Sequence, residues 1–257
     1  MGLVKTINGL ARANVKSFNG LASASIKTIN GLDGTDSITP DSFSGLIRWW
    51  EATTLTPQGD NTNIVNGTAW IDAKNGIAAT ATANTPKYRT NVFGSNPAVE
   101  FGVGGTSGAS EMTFPATLTL GDFTVVMVGF LTGDCIIPYH QGVNMQMRFN
   151  RSGQNKNSFF PNSGSELISA VFGTAIASNR ANFTTRTGST INFYDNKTLI
   201  TTGAQTTANH TSDRLGSSDT GPNNVKLGAM IIYNRELTAL EITSLYDNYL
   251  KARYALP

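Results

Sequence analysis

The first candidates for hydrolytic chemistry in this chain are six glutamates, Glu51, Glu100, Glu111, Glu166, Glu236 and Glu241. Retaining cleavage of a glycosidic bond needs two carboxyl groups about 5 Å apart, one as acid and one as nucleophile, and alternate positions of a strand can supply that spacing. None of the six has an acidic residue two positions on. A pair assembled from separate strands stays open. The only histidines are His140 and His210, too few for a multi-histidine metal centre. His140, in "IPYHQG", has no grouped Ser or Asp partner and reads as a turn or surface residue. Cys135 is the single cysteine, which excludes an intrachain disulfide and a cysteine-based zinc site. At the end of "FTVVMVGFLTGDC" it reads as a small buried hydrophobe. No catalytic, cofactor or metal residue is assigned.

The elements that would position any site are mostly strands. The chain has 257 residues, 39% of them hydrophobic, with 26 Gly and 9 Pro among many Thr, Ser and Asn. That mixture suits short strands joined by turns, and all-β domains commonly reach this length. A net charge of +2 with no basic run argues against nucleic acid or an anionic membrane as partner. The first twenty residues lack a signal-peptide core and no run approaches transmembrane length, so manufacture in a reducing cytoplasm is expected. The five N-x-S/T sequons, at Asn66, Asn150, Asn182, Asn196 and Asn209, are then chance matches.

Composition shifts near Asp36, which separates an arm (1–36) from a domain (37–257). In the arm, "VKTINGLARANVKSFNGLASASIKTINGL" repeats every eleven residues. Val4, Val15 and Ile26 align, as do Ile7, Phe18 and Ile29, and Leu10, Leu21 and Leu32; Lys5, Lys16 and Lys27 keep the same register. Asn-Gly recurs in each unit, the strongest two-residue hairpin signal. Three such turns give a small β-meander; short helical turns around Leu10, Ala11 and Val15 are the rival, and a mobile low-complexity arm the third reading. So short a segment cannot bury its apolar positions alone, so these nine aligned residues are the expected assembly or anchoring contacts.

In the domain, "NPAVEF" (96–101), "FTVVMVGFL" (123–131), "NMQMRFN" (144–150), "STINFYDNKTLI" (189–200) and "VKLGAMIIYNR" (225–235) read as strands, with a hairpin at Asp195-Asn196. Many short strands with turns between them predict a two-sheet antiparallel jelly-roll sandwich. The spacing predicts one helix over 239–253. Thr238 and Glu241 form its capping box, Leu237 and Ile242 its staple, and Ile242, Leu245, Tyr246, Tyr249 and Leu250 an apolar stripe that must pack on the sandwich. Trp49 and Trp50, being adjacent, point to opposite faces of a strand. Trp50 is the candidate glycan contact, against core or helix packing for these rings.

Residues 45–257 resemble the concanavalin-A-like, laminin-G-like jelly-roll superfamily. The likeness runs in order through "GLIRWWEATTL", "AWIDAKNG", "NPAVEF", "DFTVVMVGFL", "INFYDNKTLI" and the closing "VKLGAMIIYNRELTALEITSLYDNYLKARYAL". Hydrolases of that superfamily carry an E-x-D-x-x-E strand, which this chain lacks. The resemblance also implies a calcium ion as the one cofactor left open, for which "QGDNTN" (58–63) and "SDRLGSSDTGPNN" (212–224) hold hard oxygen ligands, although turns favour the same residues. The K-x-x-N-G-L-A units resemble repeats in virion proteins of tailed phages. Together these imply a non-enzymatic virion structural protein, a capsid decoration or fibre-like component made in the host cytoplasm. Its arm would bind other virion proteins or sister chains, three by analogy with phage fibres. The alternative is a carbohydrate-binding adhesion module for host surface glycans.

Overall fold

A computed structural model describes residues 38–82, 86–102, 110–131, 135–140, 145–149, 156–160, 168–171, 178–204, 209–216 and 225–257, with six short strands nearer the N-terminus. The chain divides into two compact units, Met1–Ile38 and Thr39–Pro257.

In the first unit, β1 (Thr6–Ile7) pairs with β2 (Leu10–Ala11), β3 (Ser17–Phe18) with β4 (Leu21–Ala22), and β5 (Thr28–Ile29) with β6 (Leu32–Asp33). The facing pairs Ile7 and Leu10, Phe18 and Leu21, and Ile29 and Leu32 leave only Asn-Gly between the strands each time. This is the hairpin form, and the helical alternative does not hold at these positions. The expected meander is not formed either, because each hairpin is a separate two-stranded sheet. Its strands are two residues long, too short to carry pairing into the next repeat. Val4, Val15 and Ile26 lie outside the described residues.

The second unit begins with β7 (Leu46–Glu51), β8 (Thr62–Asn63), β9 (Ala69–Ile71), β10 (Ala78–Ala81), β11 (Lys87–Phe93) and β12 (Asn96–Phe101). It continues through β13 (Glu111–Leu120), β14 (Phe123–Leu131), β15 (Cys135–His140), β16 (Met145–Phe149), β17 (Lys156–Phe160) and β18 (Ile168–Val171). The last strands are β19 (Asn179–Thr187), β20 (Thr190–Asp195), β21 (Thr198–Ala204), β22 (His210–Gly216) and β23 (Val225–Tyr233). One antiparallel sheet runs β18-β17-β16-β15-β22-β13-β10-β9. The other runs β21-β20-β19-β14-β23-β12-β11-β8, with β7 also on β23. Strand β12 pairs with the first part of β23 and β7 with the second. This is the two-sheet antiparallel sandwich the sequence predicts.

Alternation along the strands builds two cores. Phe123, Val125 and Met127 of β14 face the other sheet, where Trp70, Met112, Leu120, Met147, Phe159 and Leu215 meet them. Val126 and Val128 face outward, under the C-terminal helix. That helix is α1 (Ala239–Leu245), a π turn over Tyr246–Leu250, and α2 (Lys251–Arg253). Thr238 and Glu241 form the expected capping box, and Leu237, Ile242, Leu245, Tyr246 and Leu250 are buried on the sheet. Both faces of the nine-stranded sheet are therefore covered along its middle.

Buried polar groups tie these layers together. The Trp70 indole donates to the Glu51 carbonyl at 2.7 Å. The Asp72 carboxylate accepts from the amides of Trp49, Lys74 and Asn75 at 2.6, 2.9 and 3.0 Å, which explains why a Trp and an Asp stand together in "AWIDAKNG". Glu51, 3% exposed, accepts from the hydroxyls of Tyr249 and Tyr254 and twice from Arg253 at 2.9 and 2.7 Å. It clamps the end of the helix to β7.

Candidate functional site

Trp50 is the one glycan contact expected from sequence, and the structure corrects it. Its ring is 0% exposed, stacked on Phe114 at 5.0 Å inside the inter-sheet core. Trp49 takes the other face of β7, edge-on to Tyr249 at 5.9 Å. Trp50 is therefore closed to a sugar, and Trp49 is partly buried against the helix. Six of the nine assembly positions fall in β1 to β6. Neither the Cys135 side chain nor Glu166 is among the described groups. His140 ends a strand, not a turn, and its Nδ1 lies 2.6 Å from the Thr211 hydroxyl.

The loop offered for calcium holds cations of the protein's own. The Asp60 carboxylate accepts from the Thr90 amide at 2.9 Å and lies 3.4 Å from Arg89 Nε. The Asn61 oxygen accepts from Lys87 Nζ at 3.0 Å and from Arg89 Nη1 at 3.1 Å. The Thr90 amide first, then the charge of Arg89, hold the Asp60 carboxyl below its ordinary range. A divalent ion would meet two positive side chains there, so this donor set does not fit one. In the second loop, Asp213 accepts from Arg214 at 2.9 and 3.1 Å, and 217–224 lie outside the described residues.

The described acidic side chains are likewise engaged. Arg89 holds Glu100, Arg214 and Thr82 hold Glu111, Thr185 and Asn192 hold Glu236, and Arg235 holds Glu241 on two bonds. The contact with Arg235 brings the Glu241 carboxyl down to about 2. A glycosidase acid needs the opposite environment, one that raises its pKa; burial does raise that of Asp195, against the pull of Arg180.

What remains is a strip of the nine-stranded sheet's outer face. On it, Glu100 of β12, Lys226 of β23 and Phe130 of β14 stand in one cross-strand row. Next to the row is a depression of about 270 Å³ lined by Asp60, Arg89, Thr90, Asn91, Val92, Phe130 and Lys226. Asn91 is in the left-handed region at φ 54°, which Asn tolerates, and its side chain makes no hydrogen bond among the described residues. The Lys226 ammonium sits over the Phe130 ring, 5.5 Å from its centroid. A half-buried aromatic ring beside uncommitted amide and ammonium groups can offer a pyranose both a stacking face and donors.

Two other depressions have their polar groups engaged to different degrees. In one of about 510 Å³, Tyr249 and Arg253 are committed to Glu51, and Asn96 donates to the Arg253 carbonyl. In one of about 400 Å³, Lys197 is paired with Asp247 at 2.7 Å, while Lys251 has no partner among the described residues.

Solved structures give the fold an independent comparison. Trypanosoma rangeli sialidase, in its difluorosialic acid complex, superposes with a TM-score of 0.54 at 13% identity, over 85% of this chain and 34% of that one. The binding domain of botulinum neurotoxin serotype D gives 0.56 at 8% identity, over 80% of this chain and 52% of that one. The chain thus spans about a third of the sialidase and about half of the toxin domain. At these identities the likeness is one of fold, the β-sandwich. No family model matches the sequence, and no curated protein matches it.

No signal in the sequence singled out Phe130 or Lys226. Each lies inside a strand correctly read from its apolar run, and only the pairing of β14 with β23 brings them together.

Proposed function

We propose that the sandwich is a non-catalytic carbohydrate-binding module whose site is the strip around Phe130. The observation that carries this reading is the partly buried Phe130 ring standing beside Lys226 and Asn91 in a depression no other element fills. The engaged state of the described carboxylates supports binding without cleavage. The sandwich likeness to a sialidase and to a toxin binding domain agrees with it at the level of fold. A glycan-array screen of the purified protein tests the reading, with Phe130→Ala as control. Selective binding at micromolar strength, lost in the variant with its melting temperature kept, is the expected result. A blank array, or binding indifferent to Phe130→Ala, overturns it.

The arm supports a second element of the reading, that this module is displayed on a larger assembly. Three hairpins on one period present the same short edges and turns three times over, and an isolated hairpin is marginal in water. In this proposal they pair with sister chains or with a particle, as a virion decoration or fibre protein would require.

A further inference from the structure

We propose that Lys226 makes this strip selective for pyranoses bearing a carboxylate or sulfate, an inference that rests on the carbohydrate-binding reading above. The charges around the Phe130 ring are unevenly matched. Glu100 stands directly across from Lys226 on β12, yet its carboxylate is taken by Arg89 Nη1 at 3.1 Å. Asp60 is taken by the same guanidinium, at 3.4 Å, and by the Thr90 amide. One arginine thus uses both acids of the strip. Lys226 forms no ion pair among the described residues, and its charge rests on the face of Phe130.

A cation on an exposed aromatic face is weakly held, whereas an ammonium–carboxylate or ammonium–sulfate hydrogen bond is among the stronger polar contacts. The lysine covers the surface that a sugar ring must use. A neutral pyranose displaces it and returns nothing to the ammonium. An acidic pyranose gives the ammonium its missing anion, draws it off the ring, and stacks its C–H face where the lysine lay. Lys226 is a specificity-determining residue on this account, and Phe130 the platform.

The test uses the full chain and three probe sets, galacturonate oligosaccharides, sulfated galactan oligosaccharides and neutral galactan oligosaccharides, titrated by calorimetry at low and at raised salt. Affinity for at least one acidic set ten-fold or more above the neutral set, falling with salt, is expected, and the two acidic arms separate carboxylate from sulfate recognition. Lys226→Gln should erase the ratio while neutral binding holds or strengthens, because the ring is uncovered. Phe130→Ala should weaken every ligand. An unchanged acidic-to-neutral ratio in Lys226→Gln, or a wild-type preference for neutral sugar, overturns the role of Lys226 but leaves the carbohydrate site standing. No binding to any sugar, here and on the array, removes both.

Discussion

At the scale of single residues, His210 is the side chain whose chemistry the sandwich constrains most. It is 1% exposed, with its ring 5.9 Å from Phe123 and 5.4 Å from Phe159, and neither ring nitrogen has a hydrogen-bond partner among the described residues. Burial first, then the neighbouring Arg186 and His140, bring its pKa down from 6.5 to about 3. The unfolded chain therefore binds a proton near pH 6.5 that the folded chain refuses until about pH 3. Stability from this group is complete above the unfolded pKa and is lost as pH falls through that window, by at most about 5 kcal/mol. Urea midpoints measured from pH 7 to 3 should fall steeply for the wild type and less so for His210→Leu. Parallel curves would show that His210 does not govern the acid limb. Glu241, held near 2 by Arg235, adds a smaller loss from about pH 4.5 downward.

At the scale of elements, the C-terminal helix is held by apolar packing and by one buried carboxylate. Replacing Ile242, Leu245 and Tyr249 together by Ala should destabilise the domain by several kcal/mol, the usual cost of large-to-small changes in a core. A chemical-denaturation midpoint equal to the parent's would mean that the helix contributes no packing. Glu51→Ala leaves Arg253 and two tyrosine hydroxyls without their acceptor, and a loss of about 3–5 kcal/mol is expected by the same assay. The elements differ in how legible they were. Strands β12 and β14 were read residue for residue, because their β-branched and aromatic runs are buried on both faces. Strand β19 was not, since Arg180, Asn182, Thr184 and Arg186 make it look like a loop. All four are buried, Arg180 beside Asp195 at 3.5 Å and Arg186 donating to the Gly188 carbonyl. Strand β13 hid behind Pro115, which a register shift between Thr113 and Leu118 accommodates. The turn read at Asp195-Asn196 sits one residue later, where Asn196 takes φ 57°. The candidate site was illegible for a related reason. Periodicity shows which residues face outward, but not which outward residues of two distant strands become neighbours.

At the scale of the whole molecule, the hairpin arm and the sandwich are separate units, and each prediction belongs to one of them. A chain lacking residues 1–38 should melt like the full chain, because every core residue of the sandwich lies beyond that point. Light scattering should then show the full chain associating and the shortened one monomeric. A shortened chain that still associates would place the contacts on the sandwich, and the hairpins would need another role.

The π turn over Tyr246–Leu250 bears on how this chain tolerates changes in length. There the Lys251 amide reaches back to the Tyr246 carbonyl, one residue farther than in an α-helix. The helix thus carries one residue more than its α-helical path requires, and the π turn absorbs that surplus so that Tyr249, Arg253 and Tyr254 all converge on Glu51. Deleting the exposed Asn248 would remove the surplus and restore ordinary α-helix, with Arg253 and Tyr254 kept near their present phase. Deleting Ala252 instead, beyond the π turn, would turn Arg253 and Tyr254 by about 100° and swing them off Glu51. The first variant should therefore keep most of the parent's stability with a more regular helix by circular dichroism, and the second should lose it.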